Sequence, residues 1–147
     1  SYDLLPTLAD LAVGDSEVLP ENLDGASIKP LFKNQNAELK RAHPGLIFHF
    51  PHYNIVGLYE PHSAIRLGDY KLLKFYASDR SLLFKVSEDF AESSDLSEAD
   101  PAKKNELEQN LLTYLEAVGA ERPEESSSWK NGNYGETKTK FFSRYFD

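Results

Sequence analysis

The chain has 147 residues, a formal net charge of −8 at pH 7, and neither cysteine nor methionine. Without cysteine it can form no disulfide and no thiolate metal site. The length suits one domain that buries about 70% of its unfolded surface. Acidic residues dominate the stretch 86–126, and because such a surface repels phosphate backbones, we expect no nucleic-acid partner. No apolar run reaches the roughly 18 residues of a membrane span.

The first residue is Ser1 rather than methionine, and it stands where the first turn of a helix is predicted. We therefore interpret the sequence as a piece of a longer protein. A secretory leader is not visible, and an internal piece could not show one.

Residues 3–13 predict a helix with one apolar face. The leucines of this face recur at helical spacing: Leu4, Leu8 and Leu11. We expect Asp3 to cap the first turn and Gly14 to end the helix. Residues 14–45 show little periodicity and are interrupted by prolines, a glycine and a polar stretch, so they predict a long irregular connection.

Four short strands are predicted next. The first runs from Leu46 to Phe50 and stops at Pro51, and a loop follows it. Two hairpins come after the loop, and their strands span residues 63–67, 70–76 and 81–86. The first hairpin turns at Gly68 and Asp69, since glycine readily adopts the positive φ that a two-residue turn requires.

The clearest helix spans residues 101–118. Asp100 is a good N-cap, and Pro101 suits the first helical position. Its apolar face recurs at helical spacing: Leu107, Leu111, Leu115 and Val118, with Leu112 beside them. Together the elements predict an α+β fold, in which a small antiparallel sheet of about four strands is packed by this long helix and preceded by a helix and a long irregular connection.

The C-terminal end differs in composition from the rest. We divide the chain into a folded part, residues 1–128, and an aromatic and basic tail, residues 129–147. Aromatic side chains of this kind can stack on sugars or on single-stranded nucleic acid. We favour docking of the tail onto a protein surface.

Two histidines near the end of the first strand are the best candidates for binding. His49 alternates with Phe48 and Phe50 along the strand. His52 and Tyr53 follow on the loop, where binding groups are common. Two histidines without a third ligand make a poor metal site. Spacing alone leaves open whether these histidines are structural and surface residues or ligand-binding groups.

Five phrases in chain order resemble the C-terminal subdomain of the sulfatases, in the alkaline-phosphatase-like superfamily. They are DLLPTLADLA at 3–12, DGASIKPLF at 24–32, FHFPHY at 48–53, AIRLGDYKL at 64–72, and the turn region at 83–96. Each phrase is short, but their common order makes the match specific. The family usually has Asp, Pro and Asn where this chain has Lys85, Phe90 and Asp95, which affects the local turn.

The resemblance implies that the whole protein hydrolyses sulfate esters, with formylglycine as nucleophile and calcium beside it. Formylglycine arises from the Cys or Ser of a C/S-x-P-x-R motif, and none of the eight prolines here has Cys or Ser two residues before it. We therefore expect no catalytic residue and no metal site in this chain. The resemblance implies that formylglycine and calcium lie in a missing N-terminal catalytic domain. This domain is the expected protein partner.

The resemblance also implies a ligand and a location. The ligand is a sulfated small molecule or carbohydrate, and the location is periplasmic or secreted. The loop after the first strand would face the substrate cleft, where His52 can donate to a sulfate or sugar oxygen. The predicted substrate-binding set is His52, His49 and Tyr53.

Other charged residues favour structural roles. We expect Arg66 and Lys71 to pair with acidic groups of the main domain. Three acidic residues that loosely resemble a calcium loop are expected to cap turns instead, because they lack its glycine and spacing: Asp89, Glu92 and Asp95. The alternative to a sulfatase is a non-catalytic binding or interaction module that uses the tail and residues 49–53.

Overall fold

The structure is a computed structural model that describes residues 2–14, 19–20, 23–53 and 60–123. It divides into two compact units, Ser1–Pro44 and Gly45–Asp147. The predicted tail at 129–147 lies outside the described residues, as do residues 54–59 of the predicted loop at 54–61.

The second unit contains the predicted sheet. Its strands are β1 (Leu46–Phe50), β2 (His62–Leu67), β3 (Tyr70–Phe75) and β4 (Arg80–Lys85). All neighbours are antiparallel, in the order β1-β2-β3-β4. The turn between β2 and β3 uses Gly68 at a φ of 58°, as its position predicts. The α+β fold expected from the sequence is confirmed.

One face of the sheet packs against a long helix, α2 (Pro101–Ala117). A row across the four strands points toward it: Ile47, Ile65, Leu72 and Leu83. The helix contributes three buried leucines to this core: Leu107, Leu111 and Leu115. Burying such side chains stabilises the fold by roughly 1.5–3 kcal/mol each. The helix and its three central leucines were predicted correctly.

Two further residues assigned to this apolar face are largely exposed. Val118 is 54% exposed, because it follows the last helical residue, Ala117. Leu112 is 39% exposed, because one residue after Leu111 is a rotation of about 100° around the helix axis. Tyr114 packs at the edge of the core instead.

Local hydrogen bonds fix the start of α2 and the acidic turn before it. The Asp100 carboxylate accepts from the Lys103 amide at 3.0 Å, so the predicted N-cap is confirmed. Asp95 accepts from the Leu83 amide at 3.0 Å, and Asp89 accepts from the Ser94 amide at 2.8 Å. Both acids therefore cap backbone groups, as expected.

Glu92 and Lys71 behave differently from the prediction. The Lys71 ammonium donates to both Glu92 carboxylate oxygens, at 2.6 and 2.7 Å. Glu92 thus neutralises a strand lysine instead of capping a turn. The structural role of Lys71 is confirmed, but its partner lies in this chain. Arg66 is exposed on β2.

The first unit contains α1 (Leu4–Val13) and, within the connection expected to be irregular, a short 3-10 helix at Lys29–Phe32. Polar side chains of α1 hold this connection. Thr7 accepts from the Ile28 amide at 3.0 Å, and Asp10 accepts from Ser27 at 2.7 Å and from Lys29 at 2.8 Å. The polar face of α1 is thus turned toward its own chain.

Close approach to the start of α1 requires a glycine. A Cβ atom added to Gly25 would lie 2.2 Å from the carbonyl oxygen of Tyr2, well inside van der Waals contact. The leucines of α1 are turned the other way: Leu4, Leu8 and Leu11 are 58%, 63% and 52% exposed. The helix therefore uses its polar face within the chain and presents its apolar face outward.

Asp3 does not cap α1, which corrects the sequence-based expectation. Its backbone is already in the helical region, and its side chain makes no cap hydrogen bond. The carboxylate accepts from the Ala26 amide at 2.9 Å and from two Arg41 guanidinium nitrogens at 2.7 and 3.1 Å. A bidentate charged partner is stronger than a neutral backbone group. The Arg41 hydrogen bonds hold the pKa of Asp3 below its ordinary value.

We expect Asp3→Asn to lower the stability of the first unit at pH 7 by about 1–3 kcal/mol. The folded-state pKa of Asp3 is lowered, so its stabilising contribution is complete above the ordinary pKa of about 3.9. The contribution is lost as pH falls from there through the folded-state pKa. Hydrogen exchange of the Ala26 amide measures the effect, and the cost of the substitution should shrink in acid.

Asp69→Asn, in the exposed β2–β3 turn, is the control and should leave that amide unchanged. Equal protection of Ala26 in the Asp3→Asn variant and the parent chain would contradict a stabilising role for the ion pair.

Candidate functional site

The predicted substrate-binding residues lie at one end of β1. His49 is on the strand, and His52 and Tyr53 follow it directly. His52 is exposed, whereas His49 and Tyr53 are half-buried. Strand alternation turns His49 to the α2 side of the sheet and Phe50 to the opposite side. The two histidines therefore lie in different surroundings: His49 is half-buried on the strand, and His52 is exposed after its end.

Both ring nitrogens of His49 have partners within the chain. Its Nε2 atom lies 2.8 Å from the Glu121 carbonyl oxygen, which can only accept, so Nε2 carries the proton. Its Nδ1 atom lies 2.6 Å from Ser63 Oγ, and that oxygen lies 2.7 Å from the Tyr76 hydroxyl. In the neutral imidazole, Tyr76 thus donates to Ser63, and Ser63 donates to Nδ1.

This network anchors the segment after α2 to the sheet. Ser63 is fully buried, so its hydroxyl needs the partners it has. The Glu121 carbonyl is joined through His49 to β1, while the Ala120 amide donates to the Leu115 carbonyl at 2.9 Å. The geometry gives His49 a structural role, and its assignment to substrate binding stays a prediction.

His52 instead lies at the end of a row of three rings and one guanidinium group on the other face of the sheet. The row contains Phe50, His62, Phe75 and Arg80, which are direct neighbours on the four strands. We call these four residues the aromatic row. Adjacent ring centroids are 5.7 Å apart, for Phe50–His62 and for His62–Phe75, and the Arg80 guanidinium lies 5.1 Å from the Phe75 centroid.

The His52 imidazole meets the first member of the row edge to face. Its centroid is 5.8 Å from that of Phe50, with an interplanar angle of 82°. In the part of the chain that the structure describes, no residue forms a hydrogen bond with the His52 ring nitrogens. An exposed imidazole with this freedom can bind an external oxygen.

Sequence reasoning missed His62 and Glu60 beside this site. His62 Nδ1 donates to the Glu60 carbonyl at 2.8 Å. The Glu60 carboxylate is buried and accepts from the Ser78 amide at 2.7 Å. The alternation of β2 places His62 on the face of Phe50, but its neighbours follow only from the register of β1 against β2.

The described ranges contain no group of three or more His, Cys, Asp or Glu residues that could hold a metal ion. Asp89 and Asp95 accept backbone hydrogen bonds, and Glu92 pairs with Lys71. Neither described helix is long and apolar enough to cross a membrane.

We expect His49→Ala to loosen the segment after α2. Loss of the imidazole leaves the Glu121 carbonyl and the Ser63 hydroxyl without their partner. The hydrogen-exchange protection of the Ala120 amide should fall by about 5- to 10-fold, equivalent to about 1 kcal/mol. His52→Ala, three residues away, is the matched control and should leave this amide unchanged. Equal protection in both variants would refute the anchoring role of His49.

A family profile and several solved structures match this chain. The profile described as N-sulphoglucosamine sulphohydrolase, C-terminal, matches residues 1–121. The structure of BT4656 in complex with its substrate D-glucosamine-2-N,6-O-disulfate is 28% identical, with a TM-score of 0.63, and the match covers 85% of this chain and 25% of that one. A search of the curated proteins finds no match.

Two less similar structures share the fold. A putative sulfatase from Bacteroides thetaiotaomicron VPI-5482 is 22% identical, with a TM-score of 0.61, over 86% of this chain and 27% of that one. BT1596, a 2-O GAG sulfatase, is 23% identical, with a TM-score of 0.58, over 88% and 26%. The chain thus spans about a quarter of the length of these solved structures.

Proposed function

The chain belongs to the family described as N-sulphoglucosamine sulphohydrolase, C-terminal, and we propose that it forms the C-terminal part of a sulfatase that hydrolyses sulfate esters. The match over residues 1–121 carries this proposal. The 28% identical relative, solved with a disulfated glucosamine as its substrate, supports a sulfated carbohydrate as the ligand. The periplasmic or secreted location implied by the family is part of the same proposal.

The sequence lacks the nucleophile precursor of a sulfatase, and its described residues do not fit the calcium. The chain has no C/S-x-P-x-R motif, and the described residues form no cluster for a metal ion. Both groups would belong to a catalytic domain outside this sequence. We therefore assign no bond-making or bond-breaking step to this chain, and its role is to bind and orient the substrate.

The most suitable group for that role is His52. It is exposed at the end of β1, and an imidazole N–H can donate to a sulfate or sugar oxygen. Tyr53 lies next to it. His49 is less suitable, because its two nitrogens already bind Ser63 and Glu121. The substrate contact we propose is thus a hydrogen bond from His52.

The outward face of α1 suits a contact with the catalytic domain of the same protein. Three leucines left in water forgo roughly 1.5–3 kcal/mol each: Leu4, Leu8 and Leu11. The polar side chains of α1 are already paired with the connection that follows, so the helix is held in place with its leucines outward. An apolar patch of this kind usually has a protein partner.

We expect the full-length product of the encoding gene to release sulfate, whereas residues 1–147 alone release none above a heat-treated control. The reason is that the sequence lacks the nucleophile precursor and that the residues described in the structure form no metal site. The probes are D-glucosamine 2-N,6-O-disulfate and an aryl sulfate, each with calcium. Turnover by the chain alone that survives further purification would contradict this division. An inactive full-length protein that still binds the sugar would favour the non-catalytic binding module.

We expect His52→Ala in the full-length protein to lower kcat/KM by about 5- to 150-fold, the equivalent of a hydrogen bond worth roughly 1–3 kcal/mol. The melting temperature should not change, because His52 is exposed. His52→Gln keeps one donor and should retain more activity than His52→Ala. Unchanged kinetics for His52→Ala would return this residue to an ordinary surface position.

A further inference from the structure

We propose that Phe50 is a positioning residue for His52. Its ring holds the His52 imidazole in the orientation that contacts a substrate oxygen, and the rest of the aromatic row holds Phe50. This inference rests on the proposed function, because it assigns Phe50 a role through His52.

The contact between the two rings is specific in geometry. The centroids are 5.8 Å apart, and the planes are nearly perpendicular, at 82°. This edge-to-face arrangement is favoured because the positive edge of one ring meets the negative face of the other. Pro51 stands between the two residues, and its ring fixes one backbone dihedral of the short link. An exposed imidazole that would otherwise sample several rotamers is thereby restricted.

Phe50 is itself held by its neighbours across the sheet. The centroid of its ring lies 5.7 Å from that of His62, and the centroids of His62 and Phe75 are separated by the same distance. His62 cannot rotate freely, because its Nδ1 donates to the Glu60 carbonyl at 2.8 Å. At the other end of the row, the Arg80 guanidinium lies over the Phe75 ring. The orientation of His52 therefore depends on a contact series that crosses all four strands.

The row is separate from the hydrophobic core. The sheet residues of the core cluster that packs with α2 face that helix, whereas the row lies on the other face, which also carries the buried Ala64 and Phe84. Phe50 is 40% exposed, so its ring contributes little to burial in that core. A partly exposed phenylalanine in contact with a candidate binding histidine is better explained by orientation of that histidine than by support of the core.

The test is a double-mutant cycle in the full-length protein, read as kcat/KM on D-glucosamine 2-N,6-O-disulfate. Phe50→Leu removes the ring but keeps an apolar side chain, and we expect it to lower kcat/KM by about 2- to 12-fold. The same change in the His52→Ala background should have no further effect. Phe50→Tyr keeps the ring and should retain the kcat/KM of the parent protein, in contrast to Phe50→Leu. Phe48→Leu, on the same face of β1 and 59% exposed, is the matched control and should be neutral.

The outcomes separate the inference from the proposed function. Normal activity of Phe50→Leu beside a weakened His52→Ala overturns the positioning role alone, as does an equal loss from Phe50→Leu in both backgrounds. Normal activity of His52→Ala overturns the substrate role of His52 and the positioning role with it. Nuclear Overhauser contacts between the two ring systems in the parent chain are a readout that needs no variant to fold. Their absence also overturns the inference.

Discussion

The packing of α2 on the central row of the sheet decides where the other side chains point. Once Ile65, Leu72 and Leu83 are buried under the helix leucines, strand alternation assigns every other strand residue to a face. A register shift of one residue would turn the core outward. The hydrophobic effect thus fixes the register, and the register sets the position of the polar and aromatic groups.

His49 and His52 are only three residues apart but differ in burial and in hydrogen bonding. The register places His49 on the α2 side, opposite Ser63, where the buried Ser63 hydroxyl and the Glu121 carbonyl oxygen use both of its nitrogens. The strand ends before His52, which therefore stays exposed and contacts only the edge of the aromatic row among the described rings. The first histidine stabilises the scaffold, and the second remains available to a ligand.

The first unit differs from the second in the interactions that hold its helix in place. Its helix binds the following connection through Thr7, Asp10 and the Asp3–Arg41 ion pair. Hydrogen bonds and charge, rather than the leucines of α1, thus join this helix to the connection. The leucines of α1 remain on the outside, and contiguous exposed apolar side chains of this kind are typical of protein contact surfaces.

Features that depend on neighbouring residues could be predicted from the amino-acid sequence. Helical spacing and the Asp100 cap defined α2, and the glycine turn defined the β2–β3 hairpin, because caps and tight turns are set by a few adjacent residues. Short phrases in a common order were enough for the sulfatase resemblance. The candidate residues at the end of β1 also came from the sequence.

Contacts between residues that are distant in sequence became visible only in the folded chain. Asp3 binds Arg41, 38 residues away, so a long-range ion pair replaced the local cap. Glu92 binds Lys71 across 21 residues. Leu112 lies outside the core, because a helix buries only the residues that face a packing partner. The aromatic row exists because four strands align in one register, and no local pattern in the sequence specifies that alignment.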